Sequence, residues 1–274
     1  MIESFYKSLV KSPLSLQQRA FFADSVASQS RQNNSDIWRK ISSFAPRFSS
    51  PLQSLNQSGC LVLSFSKSAQ LVNELLSLSP TEFFDSNYIP TSESYHLQNI
   101  DELPSVSSLL SDVSLHTLVS LYLQAPASVS DCIAWWHFPM PSDVVGSNAQ
   151  KWHRDRDDFA ELKLFMYATD VDLYCGPHAF IPGSHKYSNL LNLFPNCFPD
   201  DPIIFAKEHA FLSNKQLFDY GLLKSNMKSW LGPKGTTFLE DTRGLHRAYR
   251  PTQKPRLIFS IVWTVANGII PNIY

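Results

Sequence analysis

The chain has 274 residues, 43% of them hydrophobic and 13% aromatic, enough apolar material for a substantial core and more than a solitary small module needs. Its 23 Lys plus Arg against 24 Asp plus Glu give a formal net charge of −1, without the basic surplus that a nucleic-acid partner demands. Cys60, Cys132, Cys175 and Cys197 are scattered with no CxxC pair, which argues against a cysteine zinc site or a disulfide framework and for reduced thiols in the cytoplasm.

The N-terminal residues MIESFYKSLVKSPLSLQQRAFF mix charges into their apolar positions, so no signal-peptide core is expected, and no run of about eighteen apolar residues marks a membrane span. Residues 1–50 are rich in Ser and Gln and predict two short helices and a loose link. After Gly59, the run CLVLSF reads as a strand. Ala69–Leu78 (AQLVNELLSL) and Leu115–Leu123 (LHTLVSLYL) repeat their apolar residues at helical spacing. Residues 1–125 are therefore expected to form a mainly helical layer packed on a core. Beyond residue 126 the apolar runs become β-branched and aromatic, and strands are predicted at 130–138, 162–167, 179–181, 235–240 and 256–265. A long stretch rich in Asn, Pro and Phe, at about 186–230, interrupts this pattern as an insertion or lid, with a helix expected around Lys215–Leu223. The expected organisation is one structural domain whose core, 126–274, is mainly β.

The phrase QKWHRDRDD precedes the strand at 162–167. In an extended segment residues i and i+2 share a face, so His153 and Asp155 can approach one ion while Arg154 points away. Alone, the same phrase reads equally as a charged turn. A 2-His-1-carboxylate set, which binds non-haem Fe(II) and leaves positions open, needs one more histidine, to be sought among His178, His185, His209 and His246. His246 stands in FLEDTRGLHR, between two predicted strands, the second opening at Arg256. An arginine there offers a bidentate partner to the far carboxylate of a chelating dicarboxylate; without a metal set it would be an ordinary strand-edge charge.

The ordered set WHRD, LKLFMYATDVD, GPHAFIPGSHK, FLEDTRGLHR and Arg256 resembles the phytanoyl-CoA dioxygenase family of Fe(II)- and 2-oxoglutarate-dependent oxygenases over residues 126–266. The resemblance implies a double-stranded β-helix (a cupin-like jelly roll) preceded by helices. It also implies that His153, Asp155 and His246 bind Fe(II), that Arg256 binds the distal carboxylate of 2-oxoglutarate, and that Tyr167 lines the co-substrate pocket. The reaction implied is hydroxylation of an unactivated C–H of a small molecule, with O2 as co-substrate and succinate and CO2 released. A catalytically silent jelly roll binding a carbohydrate or small molecule, and a cupin using another metal without 2-oxoglutarate, are the alternatives.

Alternation in LKLFMY places Lys163, Phe165 and Tyr167 on one face. A lysine facing a barrel interior calls for an anion, so Lys163 is expected to meet the co-substrate or an anionic substrate group, or else to snorkel outward. Gln150 and Trp136 are candidate substrate contacts. Arg243 is expected either to reach substrate or to pair with Asp241. His178 and His185 flank a Gly/Pro turn and read as turn or packing residues, and His137 reads as a core histidine.

Overall fold

The computed structural model describes residues 8–10, 12, 14, 16–85, 88–140, 148–186, 188–189, 211–212 and 227–265. The predicted helix at Lys215–Leu223 and most of the expected insertion lie outside the described residues. At the N-terminal side, α1 (Leu16–Asn33) runs for 18 residues and passes almost directly into α2 (Ser35–Ser42) and α3 (Ser49–Ser58), where two short helices and a loose link were expected. The reason lies in size rather than hydrophobicity. The inward side of α1 is built largely from small residues, Ala23, Ala27 and Ser30, whose helical spacing gives a weak apolar signal. α3 ends at Gly59, whose φ of 79° suits glycine, and the Gly59 N–H bonds the Leu55 carbonyl.

β1 (Cys60–Leu63) and α4 (Ser68–Ser77) follow, then β2 (Ser94–His96), α5 (Pro104–Leu110) and α6 (Val113–Leu123). Asp112 caps α6 by accepting the Leu115 N–H at 2.9 Å, a bond of the kind that contributes about 1 kcal/mol. α6 is buried nearly all round, with Leu115, Leu118, Val119, Tyr122 and Leu123 in the core, and it packs on the central strands of the sheet. No single described helix is long and apolar enough to cross a membrane.

The remaining strands are β3 (Ala127–His137), β4 (Trp152–His153), β5 (Glu161–Tyr167), β6 (His178–Phe180), β7 (Phe211–Leu212), β8 (Lys228–Ser229), β9 (Thr237–Glu240), β10 (His246–Ala248) and β11 (Arg256–Val265). They form two antiparallel sheets in the orders β1-β9-β5-β11-β3-β2 and β7-β4-β10-β6-β8. The fold is mainly β with N-terminal helices, a jelly roll whose sheets enclose a cavity.

β11 shows why its sequence is apolar at nearly every position. Leu257, Phe259, Ile261, Trp263 and Val265 join the core under the helices, while Arg256, Ile258, Ser260 and Val262 face the cavity between the sheets. A strand covered on both faces has no polar side to display. The same alternation in β5 sends Leu162, Leu164 and Met166 to the helices and Lys163 and Phe165 to the cavity, as expected. Arg256 and His246 were expected on neighbouring strands; instead β11 and β10 belong to different sheets and meet across the cavity.

Candidate metal centre

His153 and His246 are directly opposite each other in the antiparallel pair β4–β10. Cross-strand partners share a face, and their ring centroids lie 4.2 Å apart. His153 Nδ1 bonds the Lys151 carbonyl at 2.8 Å and His246 Nδ1 bonds the Gly244 carbonyl at 3.0 Å. A carbonyl only accepts, so both Nδ1 atoms carry the proton and both Nε2 atoms present lone pairs, the arrangement that orients metal-binding imidazoles.

Asp155 completes the group from beyond the end of β4, not from within the strand as the i, i+2 spacing predicted. Its N–H is held by the Thr242 carbonyl at 2.8 Å, which ties it to the segment leading into β10. Its Oδ1 lies 3.5 Å from His153 Nε2 and its Oδ2 3.6 Å from His246 Nε2. The three side chains can offer ligand atoms that all lie within 4.8 Å of one another. Donors about 2.1 Å from one ion can be no more than roughly 4 Å apart, and each imidazole meets that limit with one oxygen of Asp155, Oδ1 for His153 and Oδ2 for His246. Two neutral imidazoles and a carboxylate are the donor set suited to non-haem Fe(II), so these residues fit the ion.

Burial would raise the Asp155 pKa, yet the facing charges, His246 and Lys163 foremost, hold it well below the usual carboxylate range. Burial pushes His246 itself down to about 4, so at neutral pH the effective counter-charge is Lys163, whose Nζ lies 2.6 Å from Asp155 Oδ2. Lys163 also reaches Asp157 at 3.3 Å.

Arg256 is 1% exposed at the other end of the same cavity. Its Nη1 donates to the Gly176 carbonyl, its Nη2 lies 2.7 Å from His137 Nδ1, and its Nε has no partner. Trp135 Nε1 also points at His137, at 3.2 Å to Nε2. A neutral imidazole has one lone pair, so it cannot accept from both donors. Among the described residues Arg256 has no acidic partner, and burying an unpaired charge costs several kcal/mol. The guanidinium is therefore suited to an incoming carboxylate.

No family model and no curated protein matches the chain. Solved structures do. HygX from Streptomyces hygroscopicus, with nickel, 2-oxoglutarate and hygromycin B bound, is 15% identical over 80% of this chain and 88% of that one, with a TM-score of 0.49. EctD from S. alaskensis, with 2-oxoglutarate and 5-hydroxyectoine, is 16% identical over 78% and 74%, at 0.47. EvdMO1 is 16% identical at 0.45, and the chain covers 78% of itself but only 48% of that protein, about half its length. At such identities and scores the chemistry of the site stands on its own residues.

The structure gathers His153, Asp155, His246, Arg256 and Lys163 around one cavity of about 420 Å3. Lys163 faces it as expected but spends its charge on Asp155. Tyr167 lies behind the cavity wall: its hydroxyl donates to the Trp230 carbonyl at 3.1 Å, accepts the His178 N–H at 3.0 Å and acts electrostatically on Arg256. Trp136 points the other way, into the core, where its Nε1 donates to Ser79 Oγ. The alternation of β3 puts Trp135, not Trp136, at the cavity. Gln150 is bonded to Glu93 and is not among the residues lining the cavity. Arg243 forms the structural alternative, a bidentate pair with Asp241 at 2.8 and 2.5 Å. His178 is not a turn residue: it sits in β6, stacked on His246 at 5.4 Å, with Nε2 2.7 Å from Glu240. Burial lowers His178 to about 3 and raises Glu240 to about 8, so the pair shares a single proton and carries no net charge at neutral pH. His137 also borders the cavity rather than the core.

Proposed function

We propose that the protein is an Fe(II)- and 2-oxoglutarate-dependent dioxygenase that hydroxylates an unactivated C–H of a small-molecule metabolite. The observation that carries this reading is the buried Arg256 guanidinium, without an acidic partner among the described residues, sharing one cavity with a His-Asp-His group. When bound, iron with 2-oxoglutarate and O2 supplies the oxidising power to break such a bond, releasing succinate and CO2.

The side chains of the protein bind, orient and exclude water. His153, Asp155 and His246 would hold the ion, each imidazole fixed in one tautomer by a backbone carbonyl. Lys163 keeps Asp155 ionised and ready to ligate. Arg256 pairs with the distal carboxylate of 2-oxoglutarate, and Tyr167, braced by the His178 N–H and the Trp230 carbonyl, supports that end. Trp135 and Phe165 give the remaining cavity apolar walls, and His96 stacks on Trp135 at 6.1 Å. A volume of about 420 Å3 suits a small molecule beside the co-substrate. Free thiols at Cys60, Cys132 and Cys175 fit a reducing compartment, the cytoplasm.

The test is mass-spectrometric detection of succinate from 2-oxoglutarate in air, with Fe(II) and a panel of metabolites. Iron-dependent succinate that rises with one class of compound, and is lost in Asp155→Ala, is expected. Iron binding with no 2-oxoglutarate consumption under any condition would contradict the proposal.

A further inference from the structure

A second cavity, of about 60 Å3, lies on the other side of the segment that carries Asp155. Arg19, Arg154, Asp155, Phe159, His185 and Arg243 line it, and exposed Ala20 marks its rim. Three guanidinium groups converge here, and among the described residues only Arg243 has an acidic partner, Asp241. Arg154 donates its Nε to the Arg243 carbonyl and forms no ion pair with any described residue. Arg19 donates to the carbonyls of Val10 at 2.8 Å and Asp158 at 3.4 Å, and lies over the Phe159 ring. Carbonyl oxygens satisfy N–H groups without cancelling charge.

The nearby acids are committed elsewhere. Asp158 Oδ1 accepts the N–H groups of Phe159 and Ala160. Glu161 is held by burial at a pKa of about 8, hence largely protonated at neutral pH, and Asp155 Oδ2 is engaged by Lys163. Burial and the charge of Arg156 lower Arg19 to about 10, which still leaves it cationic. Both ring nitrogens of His185 are buried without a hydrogen-bond partner of good geometry, only a weak contact with the Asn56 backbone reaching it. Two cations and an unsatisfied imidazole around a void form an incomplete site, because buried guanidinium groups call for an anion.

We propose that this cavity binds a compact oxyanion of the phosphate type, held by Arg19 and Arg154, with His185 as a neutral hydrogen-bonding partner. A water needs about 10–15 Å3 of such space, so the cavity admits roughly four to six non-hydrogen atoms, the size of phosphate or sulfate. Arg154 lies between His153 and Asp155 in the chain, so an oxyanion fixed to it also fixes the segment bearing two candidate ligands. The site needs neither iron nor 2-oxoglutarate.

Calorimetric titration of inorganic phosphate into the metal-free protein, in a low-salt buffer free of other oxyanions, tests this. One phosphate is expected to bind, with affinity falling at least about tenfold in Arg19→Gln and in Arg154→Gln and unchanged in Arg256→Leu. Arg19 is half-buried on α1, so Arg19→Gln keeps the test interpretable where Arg154→Gln fails to fold; phosphate should raise the melting temperature of the unaltered protein but not of Arg19→Gln. Methyl phosphate distinguishes the sources. Equal affinity assigns the site to a phosphoryl group of a larger molecule entering past Ala20, and much weaker binding assigns it to the free anion. Absence of phosphate binding, binding indifferent to both arginine substitutions, or binding lost in Arg256→Leu would each overturn the proposal.

Discussion

Asp155 is shared between two imidazoles and a lysine, and this arrangement sets what each substitution should do. Removing His153 or His246 leaves two ligand atoms, and Fe(II) affinity measured by calorimetry should fall by more than the roughly 10- to 100-fold expected for an outer partner. Lys163→Met should act differently. Without the ammonium 2.6 Å away, Asp155 loses the charge that offsets its burial, so its pKa rises and iron binding becomes more sensitive to acid. A pH dependence of iron affinity identical in Lys163→Met and the unaltered protein would contradict that role. The gathering of His153, Asp155, His246 and Arg256 around one cavity was legible through the resemblance, whose motifs fix these residue types and their order. The choice between Trp135 and Trp136 was not, because two adjacent tryptophans look alike until the phase of β3 is known. His178 was hidden by Gly176, Pro177, Pro182 and Gly183, which advertise turns around a three-residue strand.

At the scale of elements, β5, β11, α4 and α6 were readable within a few residues, since each is long enough to show a period of 2 or 3.6 or to run apolar throughout. In the sheet carrying His153 and His246, only β6 was anticipated, as the strand at 179–181. Its strands β4, β6, β7, β8 and β10 are two or three residues long, too short for any periodicity, and exist because their partners hold them. Gly59, joining α3 to β1, is a sensitive point in this framework. A Cβ there would adopt φ 79° and lie 2.5 Å from His185 Nδ1. Gly59→Ala should therefore cost about 2–4 kcal/mol, through left-handed strain and overpacking together, measured by denaturant unfolding. An unchanged midpoint would mean that α3 and the turn at His185 are not packed as described.

For the whole molecule, buried ionisable groups fix the pH profile of stability. His137, His178, His185 and His246 have folded pKa values near 3, 3, 4 and 4 against an ordinary 6.5, chiefly through burial. Below about pH 6.5 the unfolded chain binds more protons at these histidines, so stability falls as pH falls. Glu161 and Glu240 are raised to about 8 from 4.5, again by burial. Between those values the folded chain binds more protons there, so stability falls as pH rises. Four histidines outweigh two glutamates on the acid side, and between about pH 6.5 and 8 the glutamates dominate. The metal-free protein should be most stable near pH 6.5, losing on the order of 1.4 kcal/mol per pH unit for each unmatched proton. Glu240→Gln should flatten the alkaline limb, and melting temperatures across pH check both. The central claim is that the jelly roll joins a metal group to a 2-oxoglutarate site through Arg256. The measurement is anaerobic titration of 2-oxoglutarate into the iron-loaded protein, following the charge-transfer absorption that chelation produces. Arg256→Leu should weaken 2-oxoglutarate binding about 30-fold to several thousand-fold, the loss of a buried charge partner, with iron affinity nearly unchanged. Equal affinity for 2-oxoglutarate in the two proteins would contradict the account.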